Sequence, residues 1–491
     1  MKEAGILLHI SSLPNSYGIG SLGKEAYKFV DFLKRTGQHI WQILPIGPTS
    51  YGDSPYASLS CFAFNPYFID LDLLVDDGLL KKEDLPVVKN NRRVDYGWLF
   101  NTRYDVLYKA FLNRSVYEKE FNKFVKENAY WLEDYSLFMV LKKEHDNKAW
   151  IEWYDDFKYK RPESLEWARN EFKDKILAQK FYQFLFYKQF MELKKYANEN
   201  GVSIMGDIPI YTAFDSCDVW SNPHLFLLDQ NLNPTVVAGC PPDGFTEFGQ
   251  LWGNPIYNWD KMKEDKYSWW VKRVKHSLKL FDYLRIDHFR GFAGFYRIPF
   301  GMPDARIGEW RVGPGWDLFK EINSACKNAK IVAENLGFLT PDVNELLDKC
   351  GYPGMIITEF EFNDGVDVPL EGDYKENNVI YPGTHDNQTI ISWYYELDEK
   401  YHKAADKACE IKFGDMPNLK MIETCFKKSC NMAIISFQDY LGLPDNVGRM
   451  NAPSTATGNW QFRTVESDYS KGLEKYILKI TKKYNRYHDG L

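Results

Sequence analysis

A (βα)8 barrel is the fold class that this sequence predicts, and three observations predict it. Eight short apolar runs alternate with helical segments along one chain of 491 residues. His9, Asp207, Asp287, Glu334 and Asp386 fall at or just past the C-terminal ends of such runs. Chemistry in this fold sits where strands end and βα loops begin, so elements and polar residues point the same way.

The first predicted strand is Gly5–Ile10. A helix follows over Lys24 to Arg35, with Ala26, Phe29, Val30 and Leu33 on one face and Gly37 as its C-terminal cap. The second strand, His39–Leu44, is stopped by Pro45. The third is Val202–Ile208, the fourth Tyr283–Ile286 and the fifth Ile331–Ala333. Thr340-Pro341-Asp342 opens a helix with a capping Thr and Pro in its first turn, and Gly351 closes it. Met355–Thr358, Val379–Tyr381 and Ala433–Phe437 complete the eight.

The spacing is uneven. Strands two and three are too far apart for an ordinary βα unit. Residues 61–200 are therefore expected to form a mainly helical insertion, with helices over Tyr104–Leu112, Tyr117–Glu127 and Ser164–Ala197. Residues 211–260, dense in Pro, Gly, Asn and Trp, are expected to form a loop-rich insertion after strand three. Both are placed on the active-site face of one decorated barrel spanning 1–491. A terminal helix carries Leu473, Tyr476, Ile477, Ile480 and Tyr484 on one face, and no room remains for a C-terminal β-sandwich domain.

Composition excludes several partners. Charged residues are 26% and the formal net charge is −7, with no long basic run, so no nucleic acid partner is expected. No apolar run is long enough to span a membrane, and the start carries no signal peptide. The eight cysteines are scattered, with no C-x-x-C pair, which fits reduced thiols in a cytoplasm. Aromatics reach 16%; most fill a large core, and the rest suit sugar rings, whose apolar faces stack on them.

The motif Leu-Arg-Ile-Asp-His-Phe-Arg-Gly at 284–291 is the most informative stretch. Arg285 lies two residues before Asp287 on a strand, so both face the same way. A fixed cation keeps that carboxylate ionised and aimed, as a nucleophile requires. Glu334 stands between apolar Val332 and Leu336 with no adjacent cation in sequence. Burial beside an ionised Asp287 raises its pKa, as a general acid/base needs. Asp386, preceded by His385, is placed to hold sugar hydroxyls. Paired carboxylates of this kind serve glycoside cleavage. A single acid after a strand also serves as a helix N-cap, and Asp287-His288 with His385-Asp386 also suit a metallohydrolase. Phe245, Phe248 and Trp252 in the loop 239–255, and Tyr56 in Ser54-Pro55-Tyr56, are either sugar platforms or packing anchors.

Together R-I-D-H-F-R-G at 285–291, A-E-N-L-G at 333–337 and G-T-H-D-N at 383–387 resemble the amylomaltase, or 4-alpha-glucanotransferase (disproportionating enzyme), family of the α-amylase-like group. H-I-S-S-L-P, S-P-Y, N-P-Y-F-I-D, G-D-I-P-I-Y, G-Q-L-W-G-N-P, Q-D at 438–439, R-M-N at 449–451 and G-N-W at 458–460 extend the likeness over nearly the whole chain. The resemblance implies Asp287 as nucleophile, Glu334 as general acid/base and Asp386 as transition-state stabiliser. It implies Arg285 and His385 as supporting partners, and Tyr56, Asp207, Trp252, His288 and Asn451 as sugar contacts. It further implies retaining transfer of α-1,4-glucan segments between donor and acceptor sugars, with no metal or organic cofactor. Gly244 and Pro453-Ser454-Thr455 depart from the family's pattern. An α-glucan hydrolase uses the same carboxylates; a non-catalytic glucan-binding protein would not need all three.

Overall fold

A computed structural model describes residues 2–86, 88, 92–242, 247–337, 339–362, 369–370, 374–453, 455 and 457–488. Eight parallel strands form one sheet. In chain order they are β1 (Glu3–Leu7), β2 (Ile40–Gln42), β3 (Ser203–Pro209), β4 (Tyr283–Asp287), β5 (Ile331–Ala333), β6 (Gly354–Ile357), β7 (Asn378–Tyr381) and β8 (Met432–Ser436). Each of the eight lies on a predicted run. The sheet order is β6-β7-β8-β1-β2-β3-β4-β5, so sequence neighbours are also spatial neighbours. The remaining seam is closed by Ala333 N–H donating to the Pro353 carbonyl at 2.9 Å. Beside it, Met355 N–H donates to Asn335 Oδ1 at 2.7 Å. The result is a (βα)8 barrel with additions and, among the described residues, no separate β-sandwich.

Both faces of these strands are covered, which is why they read as apolar runs rather than alternating ones. All five residues of β8 are buried. Helix Lys24–Thr36 buries Ala26, Phe29, Val30, Phe32 and Leu33, with Phe29 edge-on to Trp41 of β2. Gly37 ends it in the left-handed region (φ 69°) and returns its N–H to the Leu33 and Lys34 carbonyls. The terminal helix Lys471–Lys483 packs on that helix and buries Ile477 and Ile480. Arg486 follows it, buried, and its guanidinium donates to the carbonyls of Glu3, Phe426, Lys428 and Cys430. It thereby ties the starts of β1 and β8 together.

The segment between β2 and β3 holds the long helices Tyr96–Leu112, Glu118–Glu144 and Lys173–Glu199. The first begins eight residues before its predicted start, because Asp95 caps it by accepting from Trp98 N–H at 2.9 Å. The predicted Ser164–Ala197 helix is two helices, Pro162–Glu171 and Lys173–Glu199, which part at Phe172. The second returns the chain to the barrel: Tyr196 Oη donates to Asp31 at 2.7 Å, and Val202 N–H bonds the Ala197 carbonyl just before β3. Thr340 occupies the N-cap of helix Pro341–Cys350, but its side chain makes no cap bond there.

A second sheet lies beyond the C-terminal ends of β3 and β4. It is antiparallel, in the order Gln250–Pro255, Val236–Cys240, Gly294–Pro299, Glu309–Val312. Two of its strands fall in the stretch predicted as loop-rich, and two follow β4. Val237, Tyr296, Ile298 and Ala305 form its own small core.

Gly206 sets how closely β3 is approached. A Cβ there would lie 2.2 Å from the Phe281 ring. Gly206→Ala is therefore expected to lower stability by about 1–3 kcal/mol through overpacking. A thermal unfolding curve indistinguishable from the parent would refute this close contact.

Candidate active site

The site is built on the barrel's own register. Asp207 on β3 pairs with Arg285 on β4, and Asp287 follows two residues on. All three side chains therefore face the interior. Arg285 bonds Asp207 Oδ2 at 2.5 Å through Nη1 and Asp287 Oδ1 at 3.0 Å through Nη2. Its Nε reaches past β5 to Met355 Sδ on β6 at 3.4 Å. Tyr381 on β7 likewise crosses to Gln42 on β2, donating to Oε1 at 2.8 Å. A polar layer thus caps the interior at the C-terminal ends of the strands.

Arg285 and Asp207 are almost fully buried, whereas Asp287 keeps a quarter of its side chain open (3%, 0% and 26% exposed). The ion network is therefore anchored below and presents one carboxylate above. Burial pulls the Arg285 guanidinium down, but Asp207 and Asp287 outweigh it and hold its pKa above the ordinary value. Tyr56, on the loop after β2, donates to Asp207 Oδ2 at 2.7 Å. Burial, and then the charge on Asp207, push its phenol well up, so it remains a donor. Asp207 Oδ1 is buried without a partner.

Glu334 directly follows β5. Its Oε2 accepts from His288 N–H at 2.6 Å and its Oε1 from Leu336 N–H at 2.9 Å. Its backbone is clamped to β4 as well: Glu334 N–H donates to the Ile286 carbonyl, and Phe289 N–H to the Glu334 carbonyl. This turn puts His288 in the left-handed region (φ 52°), a strained conformation for a residue with a side chain. The His288 ring stands edge-on to Trp252, centroids 4.8 Å apart. Burial keeps that imidazole neutral, pulling it to about 3.

Burial raises both the Asp287 and Glu334 carboxyls, and Arg285 opposes the rise in each. The charge on Glu334 adds to the rise at Asp287, so the site disfavours both carboxyls being ionised at once. Arg285 touches Asp287 directly, which favours the charge there.

Asp386 lies on the loop after β7. Its Oδ1 accepts from Asn451 Nδ2 at 2.7 Å, and His385 Nε2 lies 3.5 Å from Oδ2. The His385 ring stacks on Tyr56, centroids 5.1 Å apart and planes within 5°. Tyr56 thus joins the Asp207–Arg285–Asp287 network to the Asp386 loop. Burial lowers the His385 pKa although Asp386 pulls it upward. Among the described residues no group of three or more His, Cys, Asp or Glu is arranged to hold a metal ion.

The 4-alpha-glucanotransferase family model matches residues 8–467 of this chain. The chain belongs to that family. A 4-alpha-glucanotransferase of Streptococcus pneumoniae is 44% identical over 502 residues, covering 100% of this chain and 98% of its own length. One from Aquifex aeolicus is 42% identical, covering 99% and 100%. Among solved structures, the amylomaltase from Streptococcus agalactiae in complex with acarbose superposes with a TM-score of 0.96 at 40% identity, covering 99% of this chain and 100% of that one. The Corynebacterium glutamicum amylomaltase shares the fold, with a TM-score of 0.75 at 18% identity, covering 98% and 75%.

Asp287, Glu334, Asp386, Tyr56, Asp207, Trp252, Arg285, His288, His385 and Asn451 lie in the region just described. Phe248 does not join it: half exposed, it lies under the Arg306 guanidinium, 5.0 Å from the ring centroid. Phe245, Gly244 and Ser454 lie outside the described residues. The sequence reading missed the acids behind Asp386. Asp445 accepts from Thr389 N–H at 2.7 Å, and Asp439 from Ile390 N–H at 2.9 Å. Only Asp439, in the Gln-Asp pair, had a signal.

Asp207→Asn removes one partner of a buried ion network while keeping its shape. It is expected to cost about 3 kcal/mol or more, because Arg285 is left short of counter-charge. Asp287→Asn, at the open end, should cost clearly less. Equal melting temperatures for the two variants would contradict the anchored-below arrangement.

Proposed function

We propose that this chain is a 4-alpha-glucanotransferase that moves α-1,4-glucan segments between maltooligosaccharides by retaining double displacement. The observation that carries the reading is the Arg285–Asp287 ion pair beside a raised Glu334 at the barrel's C-terminal face. A held, ionised carboxylate next to a protonated one is the pairing that glycosyl transfer with retention uses. Similarity to the 4-alpha-glucanotransferases over the full chain supports transfer rather than hydrolysis.

In the first half, Asp287 attacks the anomeric carbon of the donor. The bond to the leaving 4-oxygen breaks, and Glu334 gives that oxygen its proton. A glycosyl–Asp287 ester remains and the shorter glucan departs. In the second half, Glu334 takes the proton from an acceptor 4-hydroxyl, whose oxygen displaces Asp287. Both Glu334 oxygens here accept backbone N–H bonds. The carboxyl must turn one of them toward the glycosidic oxygen before it can donate. Asp386, steadied by Asn451, holds ring hydroxyls of the transferred sugar as charge develops. Trp252, 36% exposed, offers its face to a glucosyl ring, with His288 braced at its edge.

The substrates on this reading are α-1,4-glucan donors and acceptors. No helix of the described residues is long and apolar enough to cross a membrane. No disulfide joins the cysteines among the described residues, as a reducing cytoplasm would keep them.

Pure maltotriose should yield glucose together with longer oligosaccharides; a ladder of shorter sugars alone would point to hydrolysis instead. Asp287→Asn should abolish turnover and leave glucan binding largely intact. Glu334→Gln should lose about 10²–10⁴-fold in kcat. The pH profile of kcat/KM should be bell-shaped: activity falls at low pH as Asp287 protonates, and at high pH as Glu334 loses its proton. Because burial raises both carboxyls, both limbs should lie above the titration of ordinary carboxylic acids. A profile that falls on the acid side only would remove Glu334 from the acid role.

A further inference from the structure

Asp386 sits on a loop tied within itself through Thr384 and Asn387 and tied from outside on both flanks. On one side its neighbour His385 offers a carbonyl to Asn451 N–H at 3.1 Å. On the other, Gln388 and Thr389 are bonded by a residue from beyond β8. That residue is Asp445. Its Oδ1 accepts from Thr389 N–H at 2.7 Å and Thr389 Oγ1 at 3.2 Å. Its Oδ2 accepts from Arg449 Nη1 at 2.9 Å and Gln388 Nε2 at 3.3 Å. Arg449 in turn donates through Nε to the Asn451 carbonyl at 2.9 Å. Asn451 Nδ2 closes the circuit on Asp386 Oδ1.

We propose that Asp445 is a positioning residue for the transfer reaction: with Arg449 it locks the Asp386 loop to Asn451, and so sets where the Asp386 carboxylate stands. This rests on the reading that Asp386 holds the transferred sugar. The chemistry of the junction explains why a carboxylate is used. Four donors converge on Asp445 from two loops, and an ionised carboxylate offers acceptor sites for all four. An asparagine would keep one oxygen for Thr389 but turn an NH2 toward Arg449 and Gln388, donor against donor. Arg449 would then leave its place, and Asn451 would lose one of the two backbone bonds that orient it. Asp445 touches no reacting atom on this reading; it acts through Arg449 and Asn451.

The test compares steady-state kinetics of Asp445→Asn, Asn451→Ala and the double variant on maltotriose. Asp445→Asn is expected to lower kcat by about ten- to a hundredfold, as misplacement of a site group does, with KM little changed. In the Asn451→Ala background the same change should lower kcat little further, because the path it acts through is already cut. Asp445→Glu, which keeps the charge, should restore most of the loss. Arg449→Gln cuts the tie from its other end and should reproduce the kcat loss if Asp445→Asn fails to fold. Parental kcat in Asp445→Asn, or losses that multiply in the double variant, would overturn the proposal. Asp386→Asn separates the two readings. Full turnover in that variant sinks the role of Asp386 itself. An inactive Asp386→Asn beside a fully active Asp445→Asn sinks only the role of Asp445.

Discussion

The guanidinium of Arg285 is the fixed point of this molecule. It is a buried cation in the polar layer that caps the barrel interior, and it is held there by Asp207 below and Asp287 above. Removing three charges from water is costly, and only close, well-aimed pairing offsets it. That constraint dictates much around it. Asp207 must sit beside Arg285 in the β3–β4 register, Tyr56 must satisfy Asp207, and His385 must pack on Tyr56. The arrangement reaches from β3 to the loop after β7 through direct contacts alone. Asp287 gains its aim from being the open end of a chain whose other members cannot move.

Around that point the site divides into two halves with different supports. Glu334 is fixed by backbone, through N–H groups of His288 and Leu336 and the strand-end ladder to Ile286. Asp386 is fixed by side chains, through Asn451 and the Asp445–Arg449 pair. A backbone clamp depends on the local path of the chain and tolerates many side chains. A side-chain clamp depends on identity at each link. The strain at His288 belongs to the first half: a residue with a Cβ takes a left-handed turn so that its N–H meets a carboxylate.

The barrel strands were legible because burial on both faces makes each a short apolar run, and the site acids because they interrupt those runs at the same end. The boundaries of β5 stand as predicted, and the others moved by at most three residues, as for β1, where Leu8 to Ile10 leave the sheet. What stayed illegible was whatever depends on distant partners. Glu309–Val312 alternates polar and apolar, but over only four residues and with every one exposed, so no apolar run marks it as a strand. The break at Phe172 has no Pro or Gly to announce it. The stacking of Tyr56 on His385 joins residues more than 300 positions apart. Asp445 directly follows no strand and falls in none of the quoted motifs; the four donors that surround it in space reveal its place.

The second sheet has a further consequence. Its central ladder pairs Val236–Cys240, from the β3 loop, with Gly294–Pro299, from the β4 loop. The two excursions are therefore one mechanical body, and the Trp252 ring on one cannot travel apart from the Asp287 exit on the other. Insertions and deletions are constrained accordingly. Lengthening either strand by one residue reverses which side chains face the small core of Val237, Tyr296 and Ile298. Length variation in this region of the chain can be absorbed at the hairpin turns, or must occur in both loops together. Engineering the groove by loop exchange therefore means transplanting both loops as a unit.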